Sequence, residues 1–237
     1  MDKGSPFSPG SNTKKSLTIT IVGFVIAMVL SQITSLAWIA ISKDNIASLG
    51  TILASLLGLW MGLLSTVFYV SHKCRSGSII KDFGLRVKLI DIPVGIAVGV
   101  FAQFVLVPVL YFPFIKMYPS LGKSLSVPAK SLANLAHGYE FFILSAAVVI
   151  GAPIVEELFF RGLLLSSLRQ RIGPILSILA SAFVFGLAHF EPLQLLGLFS
   201  LGIILAFMAL KLERIGAGIF AHAAFNASTM IILFLRR

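Results

Sequence analysis

Long apolar runs with almost no charge recur through this chain from Leu17 to Leu235. A bilayer core of about 30 Å takes about 20 apolar residues per helical crossing. In hydrocarbon the backbone must satisfy its own hydrogen bonds, which leaves helices or closed barrels. A barrel would show short segments alternating apolar and polar, and no such alternation is present. The expected fold class is therefore all-α, a polytopic transmembrane helical bundle. Composition agrees: 57% of the 237 residues are hydrophobic and 12% charged, about half the charged share of a soluble domain (about 25%).

Seven spans can be drawn, near Leu17–Ile41, Ile46–Ser71, Ile92–Ile115, Tyr139–Leu168, Pro174–Phe190, Leu193–Leu210 and Ile215–Leu235. Pro93, Pro174 and Pro192 fall near span starts, where a missing N–H costs least. The layout expected is a disordered basic tail over 1–16, N-terminal transmembrane helices over 17–138, and a polar-lined transmembrane core over 139–237. The first apolar run is too long for the core of a signal peptide, and no clear small-residue cleavage site follows it.

The formal charge of +10 sits mostly in the tail and loops. It reads as orientation by the positive-inside rule and contact with anionic lipids, with no nucleic-acid partner. An N-terminus-inside arrangement puts Lys3, Lys14, Lys15, Lys73, Arg75, Lys81, Arg86, Lys88, Arg169 and Arg171 in the cytoplasm. Lys116, Lys123, Lys130, Arg236 and Arg237 run against it. The location expected is the cell membrane. Cys74, the lone cysteine, can form neither an internal disulfide nor a C-x-x-C pair.

Ionisable residues inside spans are expensive and mark functional sites by default. The first half of the chain has almost none. The second half has Glu156, Glu157 and Arg161 in span four, His189 in span five, and His222 with Asn226 in span seven. Glu157 and Arg161, four apart, share a helix face and can pair. Glu156 points about 100° away and lacks that partner. Phe185 with His189, and His222 with Asn226, are likewise four apart. Measured along the helices from the basic loops, Glu156 and His189 lie about 20 Å deep and His222 about 12 Å, a spread that helix tilt can absorb. The four could meet in one polar catalytic cavity.

A carboxylate enclosed by apolar side chains is suited to take a proton from water. A histidine can share that proton, and a second histidine with an asparagine amide can stabilise a developing oxyanion. With no nucleophile in the set, water would be the attacking group. No H-E-x-x-H and no G-x-S-x-G occurs. Asp2, Asp44, Asp82 and Asp91 all lie in the tail or at loop positions, so no intramembrane aspartyl pair can form. Each residue also has a plainer reading. The Glu157–Arg161 pair can simply pin helices, His189 can be a hydrogen-bonded core histidine, and His222 with Asn226 can be interhelical glue. Pro153 should kink span four and free a carbonyl.

At these residues the chain resembles the CPBP intramembrane endopeptidases, a family that includes CAAX prenyl-protein proteases and bacteriocin-processing or self-immunity proteins. The family pattern E-E-x-x-x-R, F-x-x-x-H and H-x-x-x-N is met in order by Glu156 to Arg161, Phe185 to His189 and His222 to Asn226, within residues 139–235. The segment Asp82-Phe83-Gly84-Leu85-Arg86 also looks like one often seen there. The resemblance implies a helical membrane fold with a cavity open to the cytosol or bilayer, and hydrolysis of a peptide bond in a membrane-associated protein or peptide, prenylated substrates included. By carry-over, Glu156 with His189 activates water and His222 with Asn226 forms the oxyanion site, with Glu157, Arg161 and Phe185 in support. Metal-free glutamate catalysis is the reading taken. If zinc takes part, its ligands would be Glu156, His189 and His222 around an open fourth position. Two other classes compete. One is a non-catalytic self-immunity or scaffold membrane protein that keeps the motif. The other is a proton-coupled transporter, against which the confinement of polar residues to one half counts.

Overall fold

The structure, a computed structural model, describes residues 13–46, 48–134, 136 and 138–235. Residues 1–12 of the expected tail, Arg236 and Arg237 lie outside them. The described residues are helical with no strand. In chain order the helices are α1 (Thr13–Ser42), α2 (Leu49–Cys74), α3 (Ile79–Phe83), α4 (Asp91–Met117), α5 (Ser120–Asn134), α6 (139–172), α7 (174–187), α8 (Leu195–Leu212) and α9 (Gly216–Leu235). The helix thus starts inside the expected tail, at Thr13.

Six helical stretches are long and apolar enough to cross a membrane. One, Tyr139–Leu187, has 49 residues. At 1.5 Å per residue it would run about 73 Å, more than twice a bilayer core. It is broken at Gly173, whose φ of 76° and ψ of 176° no helix contains, with Pro174 opening the next turn. Divided there, the stretch becomes α6 and α7, and the crossings number about seven. The outer surface is apolar, as lipid requires: Ile21, Leu36, Phe112 and Ile175 are all more than half exposed.

Small residues let helices approach. A Cβ at Gly99 of α4 would collide with the Ala221 carbonyl of α9, and one at Gly62 of α2 with Ala27 of α1. Close backbone approach of this kind is how helices associate where no hydrophobic effect operates.

One end of the bundle is tied by polar contacts. Asp82 accepts from Ser71 Oγ (2.5 Å) and Ser76 Oγ (2.5 Å). Arg75 donates to the Asp82 carbonyl (2.6 Å) and to Ser166 Oγ (2.7 Å) at the end of α6. Ser16 of α1 meets Ser167 at 2.9 Å. Phe83 is fully buried against Gly162. The Ile215 N–H donates to the Gly84 carbonyl (2.9 Å), and Arg214 pairs with Asp91 at 2.6 Å. The starts of α1, α4 and α9 and the ends of α2 and α6 therefore share one level, and the loops at that level carry most of the chain's basic residues.

No span was drawn between Ile115 and Tyr139, and Ser120–Asn134 there is a 15-residue helix. Its low mean apolarity hides it from a search for spans. The fifth span was drawn to Phe190, but α7 ends at Leu187, and His189 lies in the turn beyond it.

Candidate active site

The site is built on a helix whose winding changes. α6 loosens into a π-helical turn at Ala147–Gly151, tightens at Ala152–Glu156 and loosens again over Glu157–Leu165. Such turns leave the regular hydrogen-bond ladder and are frequent at functional sites. The first leaves a carbonyl without its helical partner. In the wide register the Val148 carbonyl would accept from residue 153, which is Pro153 and has no N–H. Asn226 Nδ2 of α9 donates to that carbonyl instead, at 2.9 Å. One of its two amide hydrogens is thereby used.

Glu157 and Arg161 are both fully buried and paired at 2.8 Å. The same Glu157 oxygen lies 3.1 Å from His222 Nδ1. A carboxylate only accepts, so Nδ1–H donates and, in the neutral ring, the lone pair sits on Nε2. Gly218, one turn before His222, makes room: a Cβ there would stand 3.1 Å from Glu157 Oε2. The Arg161 guanidinium lies over the Phe185 ring at 4.2 Å, a desolvated cation–π contact of about 2 kcal/mol.

Glu156 faces the other side of the same imidazole. Its Oε2 is 3.9 Å from His222 Nε2, and its side chain is 13% exposed. That Oε2 is buried without a protein hydrogen-bond partner. A carboxylate oxygen and an imidazole nitrogen thus face each other at 3.9 Å.

Phe185 organises the rest. Fully buried, it packs edge-on against Phe160 (5.4 Å), His222 (5.5 Å) and His189 (4.8 Å). Ser181, one turn earlier, donates to the Phe160 carbonyl at 3.1 Å and locks α7 to α6. His189 Nδ1 meets the Phe185 carbonyl at 2.8 Å, which leaves Nε2 outward.

The structure therefore brings Glu156, Glu157, Arg161, His222 and Phe185 into direct contact, with Asn226 on the next turn of α9. It does not pair Glu156 with His189. His222 takes that place, and His189 stands on another side of the phenyl ring. The conditional zinc set fares likewise: among the described residues no group of three His, Cys, Asp or Glu side chains is close enough to hold a metal ion. Glu156, His189 and His222 do not converge as ligands in this arrangement. Residues the sequence did not single out are Gly218, Ser181 and the Val148 carbonyl. The small residue four before His222 was the one available signal.

A cavity of about 490 Å³ opens nearby, between α4, α5, the start of α8 and the second half of α9. The expected polar cavity around the catalytic candidates is not this one, because none of Glu156, Glu157, His189 and His222 lines it. Phe225, beside Asn226 in sequence, is on its wall.

Comparison with known proteins falls on the same helices. The family described as "Type II CAAX prenyl endopeptidase Rce1-like" matches residues 138–228. A protein of Bacillus subtilis (strain 168) named "Putative membrane peptidase YdiL" is 25% identical over 138 residues, covering 58% of this chain and 53% of that protein. The chain thus matches about half the length of this curated relative. No solved structure matches. The residues that build the Glu156–His222–Glu157 cluster are those on which the family pattern rests, and the match over residues 138–228 together with the likeness to that Bacillus subtilis protein supports the CPBP family of intramembrane endopeptidases.

Proposed function

We propose that this protein is an intramembrane endopeptidase that hydrolyses a peptide bond of a membrane-associated protein or peptide, prenylated substrates included, with water activated by Glu156 and His222. One observation carries the reading: the buried, unpartnered Oε2 of Glu156 lies 3.9 Å from His222 Nε2. A water donating one hydrogen to each directs its lone pair away from both, towards a substrate carbonyl. As the water oxygen bonds to that carbon, its proton passes to Glu156. The Glu157 carboxylate, fixed by Arg161, holds the imidazole in the tautomer that accepts at Nε2 and stabilises it if it gains positive charge. When the C–N bond breaks, the proton on Glu156 goes to the leaving amine, and a carboxylic acid and an amine result. The second amide hydrogen of Asn226 is the donor left for the tetrahedral oxygen. The basic end faces the cytoplasm of the cell membrane, against anionic lipid.

The test compares wild type with Glu156→Gln on a pool of membrane-anchored and prenylated peptides, with products read by mass spectrometry and a chelator arm. Wild type should cleave, and the variant should lose about 10²-fold or more, the scale of a general base. Equal behaviour of two folded proteins would replace this reading with the non-catalytic immunity or scaffold one.

A further inference from the structure

The cavity beside the catalytic cluster has polar groups that the fold does not use. Several of its polar side chains are engaged: Tyr111 Oη donates to the Leu193 carbonyl (2.7 Å) and accepts from the Gly197 N–H (3.1 Å), and Gln194 donates to the Leu125 carbonyl (3.2 Å). Gln103, Thr229 and Lys130 also line the cavity. Among the described residues these three side chains have no hydrogen-bond partner. Lys130 is the sole ionisable group among the lining residues apart from the Tyr111 phenol.

Depth can be read from the helices. Asp91 and Arg214 pair at the basic end, so α4 and α9 start at one level. Gln103 then lies about 18 Å above that level and Thr229 about 20 Å, both in mid-bundle, whereas His222 lies about 9 Å up. Gln103 also sits in a third π-helical turn, Ala102–Leu106, a local winding that recurs at functional positions. From the level of His222 to that of Leu233 is about 16 Å, the reach of about five extended residues.

The occupant follows from these groups. A hydrocarbon chain would satisfy Val107, Phe225 and Ile232 on the wall but leave Gln103 and Thr229 without partners at a depth where water is scarce. An extended peptide has the opposite need: every residue brings an N–H and a C=O that require partners away from water. A lysine at the mouth adds a preference for a carboxylate. Resting on the endopeptidase reading, we infer that this cavity receives an extended acidic segment of the substrate peptide beside the scissile bond, its backbone bonded by Gln103 and Thr229 and its carboxylate paired with Lys130.

The experiment uses the full chain in detergent carrying Glu156→Gln, so that bound peptides persist. The probe is a pool of palmitoyl-anchored peptides with six randomised residues and blocked ends, and the captured fraction is sequenced by mass spectrometry. Acidic residues should be enriched over basic ones by about fivefold, the scale of one accessible ion pair. Adding Lys130→Glu should reverse that preference and Lys130→Gln should abolish it, while Lys123→Glu, on the same helix outside the cavity, should leave it intact. Gln103→Leu with Thr229→Val should lower capture of the whole pool about tenfold, two lost hydrogen bonds, without shifting thermal unfolding. A charge preference that persists in Lys130→Glu overturns the proposal. So does displacement of the pool by phosphatidylglycerol with the same Lys130 dependence, which would make the cavity a lipid site. Wild-type turnover of the pool separates the two readings. Cleavage with no dependence on Lys130 overturns the cavity's role alone. Capture that follows Lys130 with no cleavage supports the cavity and counts against the endopeptidase.

Discussion

At the scale of single residues, the two adjacent glutamates have opposite relations to the fold. Glu156 makes no protein hydrogen bond through Oε2, so Glu156→Gln should leave thermal unfolding within about 1 kcal/mol of wild type, inside the range of substitutions that break no partner. Glu157 holds both Arg161 and His222. Glu157→Gln strands a buried guanidinium and should cost about 3–5 kcal/mol. Adding Arg161→Met should restore much of that stability but none of the activity, because the imidazole still lacks its carboxylate. Recovery of turnover together with stability in the double variant would show that Glu157 acts only as half of an ion pair. Gly218→Ala places a methyl 3.1 Å from Glu157 Oε2. It should lower kcat with little change in KM, measured by steady-state cleavage of one identified substrate.

At the scale of elements, the winding of α6 and the amide of Asn226 are linked. Asn226→Leu leaves the Val148 carbonyl unpaired inside the bundle and should cost about 1–3 kcal/mol in thermal unfolding. With Pro153→Ala, residue 153 regains an N–H, and the same Asn226 change should cost less. Two costs that add independently would sink this account. The helices themselves were legible in sequence because apolar run length sets a span, and the break before Pro174 was legible from the basic, glycine-containing loop. The residues of the cluster were legible because charge inside a span is rare. Their partnering was not. Four-residue spacing gave the Glu157–Arg161 face, but an angular reading at 100° per residue drifts once the helix adopts wider turns at 147–151 and 157–165. Whether His189 or His222 meets Glu156 is then decided by how α7 and α9 rotate, which no local pattern encodes. Helix α5 escaped for a different reason: with Ser, Lys and Pro along it, Ser120–Asn134 looks like loop until its packing against α9 is known.

At the scale of the whole molecule, charge and contact agree on one face. The loops tied by Arg75, Asp82, Ser166 and Arg214 are those the positive-inside rule would assign to the cytoplasm. Cys74, the only cysteine, is buried, so engineered thiols can be read against a low background. In intact cells an impermeant maleimide should spare Lys81→Cys and label Lys123→Cys. The reverse pattern would invert the orientation proposed here.

The Phe83–Gly162 contact and the Gly84–Ile215 hydrogen bond join a segment before residue 91 to helices of the matched region 138–228. The matched region is consequently not portable by itself. A chimera that moves residues 138–228 into a distant relative must also carry the stretch from Ser71 to Asp91, or its grafted helices will lack the strap that sets their mutual rotation.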